Sequence, residues 1–337
     1  MFWLAFRNED SFDMRFGDPD FMKDFIGGMP VDNKVLGFVT GSDGYVYGRE
    51  YSSTDPEFKG EMYIKKHWFN YFLIRRLAFE PNLSDERIQD VFYAHYGNLP
   101  ETELLLETTS EAGKILPLSS KLYYKANGDY TWFVAGNWSH PSTFGYIDLK
   151  KWMKADNTYQ DGTTMSVEEY ALALAAGTFQ EDGRQTPISV AENLIKNAED
   201  VLANVAQLKQ SIGTPKTYEQ KNMMKLVIDD EAMSYLGLFY SEKILGAIDL
   251  RKLNESQDEA YRTTAVEHLQ KSAEYFDKYV EIISANYLPQ QLSRVGNFDV
   301  LEIAKSVRKD VETAQKWKSK KITSSHTPPD KEDYFNN

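Results

Sequence analysis

Residues 217–250 constrain the fold more than any other part of this chain. Read as one helix, this stretch has apolar side chains on nearly every face, so it lacks a solvent side and needs other helices around it. Gly237, Ser241, Gly246 and Ala247 are small enough to let those neighbours come close. Suitable neighbours follow the same logic. Thr186-Pro187 starts a helix with a single apolar stripe, Ala191, Leu194, Ile195, Ala198, Leu202, Val205 and Leu208. Tyr261, Ala265, Leu269, Ala273, Phe276, Val280 and Ile283 stripe another, and a last helix covers about 298–317. Within the central stretch, Asp229-Asp230-Glu231 invites a metal reading. No His or second acid cluster accompanies it at ligand spacing, so it reads as a solvated face.

The amino-terminal part has a different grammar. Phe2-Trp-Leu-Ala-Phe6 is a short continuous apolar run that ends in Arg7-Asn8-Glu9-Asp10, as in a strand buried on both faces. Asp18-Pro19 reads as an N-cap followed by a first-turn proline, opening a helix that stops at Gly27-Gly28. Val35-Leu-Gly-Phe-Val39 is a second buried strand, closed by the turn Gly41-Ser42-Asp43-Gly44. Strand, helix, strand is the unit of parallel α/β folds. A helix from about 59 to 79, ended by Pro81, completes a second unit. Helices at 84–97 and 100–115 follow, and residues 126–165 read as irregular, where Trp132, Trp138 and His140 suit a pocket rim or, the favoured reading, the anchoring of a long loop. The expected domains are residues 1–80, a helical domain 81–318, and a disordered tail 319–337.

Composition removes several classes of function. Acids outnumber bases 51 to 38, a net charge of −13, so a nucleic acid is repelled overall. The absence of cysteine rules out disulfides and thiolate metal sites. No Gly-rich phosphate loop or Gly-x-Ser-x-Gly elbow is present, and neither a metal nor another cofactor is expected. No apolar run reaches the roughly 20 residues of a membrane span, and the start lacks the features of a signal peptide. A soluble protein of the cytoplasm or periplasm is expected. Aromatics make up 14% of the chain, which suits sugar-binding sites as well as helix interfaces.

Parallel strands place their carboxyl ends on one face, where ligands bind in α/β folds. Both ends here carry acids: Glu9, Asp10 and Asp13 after the first strand, Asp43 and Glu50 after the second. Two carboxylates held there can activate a water or protonate a leaving oxygen, although Asp43 before Gly44 also suits an ordinary turn. Arg7, Arg15 and Arg49 can pair with a substrate carboxylate, and Tyr45 and Tyr47 can stack on a sugar ring. The same arginines also suit internal pairs such as Arg49 with Glu50. His67, on the following helix, reads as structural.

Phe12-Asp-Met-Arg-Phe-Gly-Asp-Pro19, Gly27-Gly-Met29 and Val35 to Asp43 together resemble the last two β/α units of the family-67 α-glucuronidase barrel. Gly41-Ser-Asp-Gly-Tyr-Val-Tyr-Gly-Arg-Glu50 and the Leu236–Lys243 helix look like a group of α-glucuronidase-like bacterial proteins. The resemblance covers residues 1–80 clearly and the later helices loosely. It implies a mainly α chain: the last two β/α units of a (β/α)8-type barrel, followed by an all-helical C-terminal domain. It also implies an inverting glycoside hydrolase acting on an acidic-sugar-containing polysaccharide or oligosaccharide. Asp43 matches one water-positioning carboxylate, an Asp where the characterised enzymes have Glu, and Asp13 or Asp10 matches the other. The family's general acid lies on an earlier strand with no counterpart here. Two strands cannot close an eight-stranded barrel. The expectation is therefore a chain that is inactive alone, being a fragment, a split-gene product, or one half that pairs with a missing N-terminal barrel half. The competing reading is a non-catalytic carbohydrate-binding or scaffold protein on a degenerate barrel.

Overall fold

The computed structural model describes residues 2–6, 17–29, 37–41, 53–127, 146–154, 162–292 and 296–319. The first apolar run is a strand, β1 (Phe2–Phe6), and the second expected strand is met by β2 (Gly37–Gly41), which takes in Thr40 and Gly41 at the start of the expected turn, while Val35 and Leu36 lie outside the described residues; the two pair in parallel with Phe2 opposite Gly37 and Phe6 opposite Gly41. Between them lies α1 (Pro19–Gly27), and after them come α2 (Tyr63–Lys66) and α3 (Trp68–Phe79). Asp18 caps α1 as its sequence predicts, its carboxylate accepting from the Asp20 and Phe21 amides at 3.0 and 3.1 Å. The single helix expected over 59–79 is two pieces, breaking at His67.

The rest of the described chain is mainly helical: α4 (Asp85–Tyr96), α5 (Pro100–Gly113), α6 (Ile115–Asn127), α7 (Leu149–Lys154), α8 (Val167–Ala175), α9 (Pro187–Ile212), α10 (Tyr218–Ser256), α11 (Ala260–Asn286) and α12 (Val300–Gln315). A short antiparallel hairpin, β3 (Gln290–Leu292) with β4 (Gly296–Phe298), joins the last two helices. Helix α7 falls inside the stretch read as irregular, of which 128–145 and 155–161 lie outside the described residues. The expected tail lies outside them from residue 320. Among the described residues no helix is long and apolar enough to cross a membrane.

Helix α10 is the axis. At about 1.5 Å per residue its 39 residues run roughly 58 Å. It starts with a capping box, Thr217 and Gln220 satisfying each other's backbone amides. Every residue from Leu236 to Ile244 is buried, more than two turns without a solvent face. Helices α9, α11, α8, α5 and α7 surround it. The stripes predicted for α9 and α11 face it, with Ala191, Leu194, Ala198, Val205 and Leu208 on one side and Ala265, Leu269, Phe276 and Ile283 on the other, all buried.

The small residues of α10 are where neighbours close in. A Cβ on Gly246 would lie 2.8 Å from Cγ of Leu269 and 3.3 Å from the Ala265 carbonyl; one on Gly237 would lie 3.1 Å from Ile115. Alanine normally favours a helix over glycine by about 1 kcal/mol. At Gly246 an overpacking cost of about 1–3 kcal/mol opposes that gain. Gly246→Ala is therefore expected to lower the urea midpoint of the folded chain, and an unchanged or raised midpoint would show that α10 and α11 have room to spare.

Deep in the bundle lies a charged cluster. Lys243 of α10, fully buried, donates to Asp310 of α12 and to the Tyr146 hydroxyl at 3.0 Å. Tyr146 Oη donates to Asp310 Oδ2 at 2.7 Å, and the Leu149 amide donates to Oδ1 at 3.0 Å. One carboxylate thus ties α10, α12 and the start of α7 together. Burial holds the Lys243 ammonium below its ordinary pKa, against the opposing pull of Asp310.

Candidate functional site

Asp10, Asp13 and Asp43, with Arg7, Glu9, Arg15, Tyr45, Tyr47, Arg49 and Glu50, all lie outside the described residues. The structure shows the frame that carries them. Because β1 and β2 are parallel and Phe6 is the register partner of Gly41, segments 7–16 and 42–52 leave from adjacent points at one end of the sheet. Neighbouring strands sit about 4.8 Å apart.

Each segment rejoins the described chain at a fixed point. The first returns at Gly17 and Asp18, both buried. A Cβ on Gly17 would lie only 2.2 Å from the Phe69 ring of α3, so no larger residue fits without displacing that ring. On the other side, Gly113 of α5 closes on Gly17 and Asp18, with 3.1 Å from its own would-be Cβ to the Gly17 carbonyl. Burial pushes the Asp18 carboxyl above its ordinary pKa, opposed by the Phe21 amide and by Lys114.

The second segment returns at Ser53, which forms a bridge with Tyr287 just past the end of α11. Thr54 adds two bonds, its amide to Asn286 O at 3.0 Å and its hydroxyl to Ala285 O at 2.7 Å. The acid-bearing segments are thus tied at one end to the strand pair and at the other to the helical bundle.

Behind the Ser53 anchor is a buried polar cluster that sequence reasoning missed. The Tyr287 hydroxyl donates to Asp229 of α10, and the Lys66 ammonium of α2 lies 4.5 Å from the Tyr287 ring centroid. Asp230 accepts from the Thr109 hydroxyl of α5 at 2.8 Å, and Lys225 donates to Asn286 at 3.2 Å. Lys66, His67, Asn70, Lys225, Asp229, Asp230 and Tyr287 are all buried. The reading of Asp229-Asp230 as a solvated face is therefore wrong: both are fully enclosed, and a carboxylate persists there because it has hydrogen-bond donors. Glu231 alone reaches outward, to Lys209 at 2.5 Å. The missed signal was the helix itself, since a helix apolar all round leaves an acid at its middle no solvent to face. No group of three or more metal-ligating side chains occurs among the described residues.

No protein-family model matches the sequence, and no curated protein matches it. Among solved structures, an enzyme described as a GH138 enzyme targeting pectin rhamnogalacturonan II superposes with a TM-score of 0.72 over 93% of this chain, at 12% sequence identity. The match covers 47% of that enzyme, so this chain spans about half its length. At that identity the likeness is one of fold.

Proposed function

We propose that this chain contributes the strand-end carboxylates and the helical bundle of a glycoside hydrolase acting on an acidic-sugar-containing polysaccharide or oligosaccharide. The observation that carries this is the parallel register of β1 and β2, which brings Phe6 beside Gly41 and makes the two acid-bearing segments leave from one place. The fold shared with an enzyme described as targeting a pectin supports the polysaccharide part of the reading.

In this reading β1, α1, β2 and α3 are the last two units of a β/α barrel. The chemistry is α-glucuronidase-like and inverting. Asp43 and one of Asp10 or Asp13 hold and deprotonate a water on the face opposite the leaving group. Arg7, Arg15 and Arg49 take the sugar carboxylate, with bidentate pairing where geometry allows. Tyr45 and Tyr47 cover the ring, and Glu9 and Glu50 accept from its hydroxyls or set the arginines. The family's general acid has no counterpart in residues 1–337, so protonation of the leaving oxygen falls to another segment or subunit.

The test is a reconstitution assay. The purified chain is expected to leave glucuronoxylo-oligosaccharides, pectin fragments and aryl glycosides uncleaved, and cleavage should appear when a barrel half carrying a strand-end Glu is joined or added. Turnover by the chain alone, abolished in Asp43→Asn, would instead show that these residues hold a complete site. Absence of cleavage in every combination would favour the carbohydrate-binding or scaffold reading.

A further inference from the structure

Away from the strand ends, an open cleft of about 730 Å³ is lined by Lys150 of α7, Asn254 near the end of α10, and Lys309, Glu312, Thr313, Lys316, Trp317 and Lys318 on and after α12. Its size falls in the range of about 300–1,000 Å³ typical of small-ligand sites. In a chain of net charge −13, four lysines and a single acidic residue, Glu312, line this cleft. Lys316 pairs with the carboxylate of Glu312 at 3.4 Å. The side chains of Lys150, Lys309 and Lys318 make no hydrogen bond or ion pair with any described residue, unlike the lysines that staple the bundle elsewhere.

The wall of the cleft is built and fixed. The Trp317 indole N–H donates to Asn254 Oδ1 at 2.8 Å, which sets the plane of the ring. The Arg262 guanidinium of α11 donates to the Trp317 carbonyl and to Ala314 O at 3.4 Å, holding the last turn of α12 in place. Gln257, in the left-handed region at φ 61°, caps α10, donates to Asn254 O at 2.7 Å and accepts from Ser319 Oγ at 3.0 Å. Half-buried Trp317 is therefore a rigid flat surface in a cleft lined by three cations without partners among the described residues, with Thr313 among the lining residues.

We propose that this cleft is a second, non-catalytic binding site for a carboxylate-bearing oligosaccharide, a uronic-acid chain. An aromatic face packs against the apolar side of a sugar ring. The lysines answer the carboxylates as point charges, and because they are concentrated in a concave site they create a local positive field that the acidic remainder of the protein does not cancel. A ligand of high, continuous charge density is repelled by that remainder, whereas a short uronide places a few carboxylates inside the positive region. The choice of ligand rests on the acidic-sugar reading of the strand ends; the cleft itself does not.

The experiment uses the full chain and oligogalacturonides of four to six residues as the probe, with binding followed by calorimetry and by tryptophan fluorescence at low and physiological salt. Saturable binding is expected, weakening as salt rises. Lys309→Glu with Lys316→Glu should weaken it more than tenfold, and so should the milder Lys150→Gln, Lys309→Gln, Lys318→Gln set, which guards against misfolding by charge reversal. Trp317→Ala should weaken binding and remove the fluorescence change, and Trp317→Phe should restore binding. Lys216→Glu with Lys271→Glu, exposed positions outside the cleft, should leave it unchanged. The proposal is overturned by absence of binding, by equal binding of neutral xylo-oligosaccharides, or by equal binding of polyglutamate or single-stranded DNA. It is also overturned if binding survives the cleft variants and disappears in Arg49→Ala, which would place the sugar at the strand ends and so favour the proposed function while removing this site. Failure of the strand-end reading is read separately, by turnover.

Discussion

Asp310→Ala is expected to destabilise the fold by about 3–5 kcal/mol, the cost of leaving one member of a buried ion pair without its partner. Asp310 is 4% exposed and is the only carboxylate that the described structure gives the fully buried Lys243 as an ion-pair partner. Its removal also takes away the carboxylate that accepts from the Tyr146 hydroxyl and from the Leu149 amide. The deficit should depend on pH with a definite sign. In the folded protein the Lys243 pKa already lies below its ordinary value because burial outweighs Asp310. Between that folded value and the unfolded one the unfolded chain binds more protons, so this group's contribution to stability rises with pH across that window. Without Asp310 the folded pKa falls further. The loss is therefore greatest near neutrality and shrinks as pH climbs through the unfolded value, above which Lys243 is neutral in both forms. Urea unfolding at neutral and alkaline pH measures both features. Lys243→Met with Asp310→Leu should recover most of the stability, because the charge and its partner leave together. A cost below about 1 kcal/mol for Asp310→Ala, the range of an exposed pair, would mean that water reaches this cluster.

How much of this was legible in the sequence depends on what kind of information each feature needs. β1, the place of β2 and α1 were readable because their signals are local: short apolar runs, and an Asp-Pro start with a Gly-Gly stop, although β2 extends to Gly41 where a turn was expected. The stripes of α9 and α11 were readable because helical periodicity reports which side faces the core. Helix α6 was hidden because a single residue separates it from the end of α5, and its Pro117 falls in the first turn, where no amide is needed. The β3–β4 hairpin has three residues per strand, too few for an alternating pattern to show.

The buried polar groups failed for a different reason. Asp229 accepts from Tyr287, 58 positions away, and Asp230 Oδ2 accepts from Thr109, 121 positions away. Periodicity tells which face a residue is on and says nothing of what waits there. The two sequence readings of α10 conflicted, apolar on all sides yet with a solvated acidic face, and the structure resolves the conflict in favour of burial. At the candidate site the strand ends were legible, and so was their adjacency, because a strand–helix–strand order implies a parallel pair. Their attachment to the bundle through Ser53 and Tyr287 is a contact between residues far apart in sequence, and nothing local announces it.

On the proposed function, Asp43→Asn is expected to reduce the turnover of the reconstituted protein by about 10²–10⁴-fold, the range for loss of a positioned general base. The substitution keeps the size and the turn-forming capacity of the side chain, so the strand end should stay intact and the substrate should still bind. An interaction made only in the transition state lowers kcat and kcat/KM together, and that joint fall is the expected signature. Arg49→Ala should behave differently: an arginine that holds the substrate carboxylate in ground state and transition state alike raises KM with little change in kcat. Asp10→Asn and Asp13→Asn decide the second carboxylate. The one that shares the water should fall with Asp43, and the other should remain near the parent, since the two segments that leave Phe6 and Gly41 need only one acid each. The stereochemistry of the released sugar, read by NMR within the first turnovers, should show inversion, because a carboxylate that activates water across the ring never bonds to the anomeric carbon. Retention would mean a covalent intermediate and a closer pair of carboxylates. Full activity in Asp43→Asn would remove the strand-end site altogether and leave the parallel pair as scaffold.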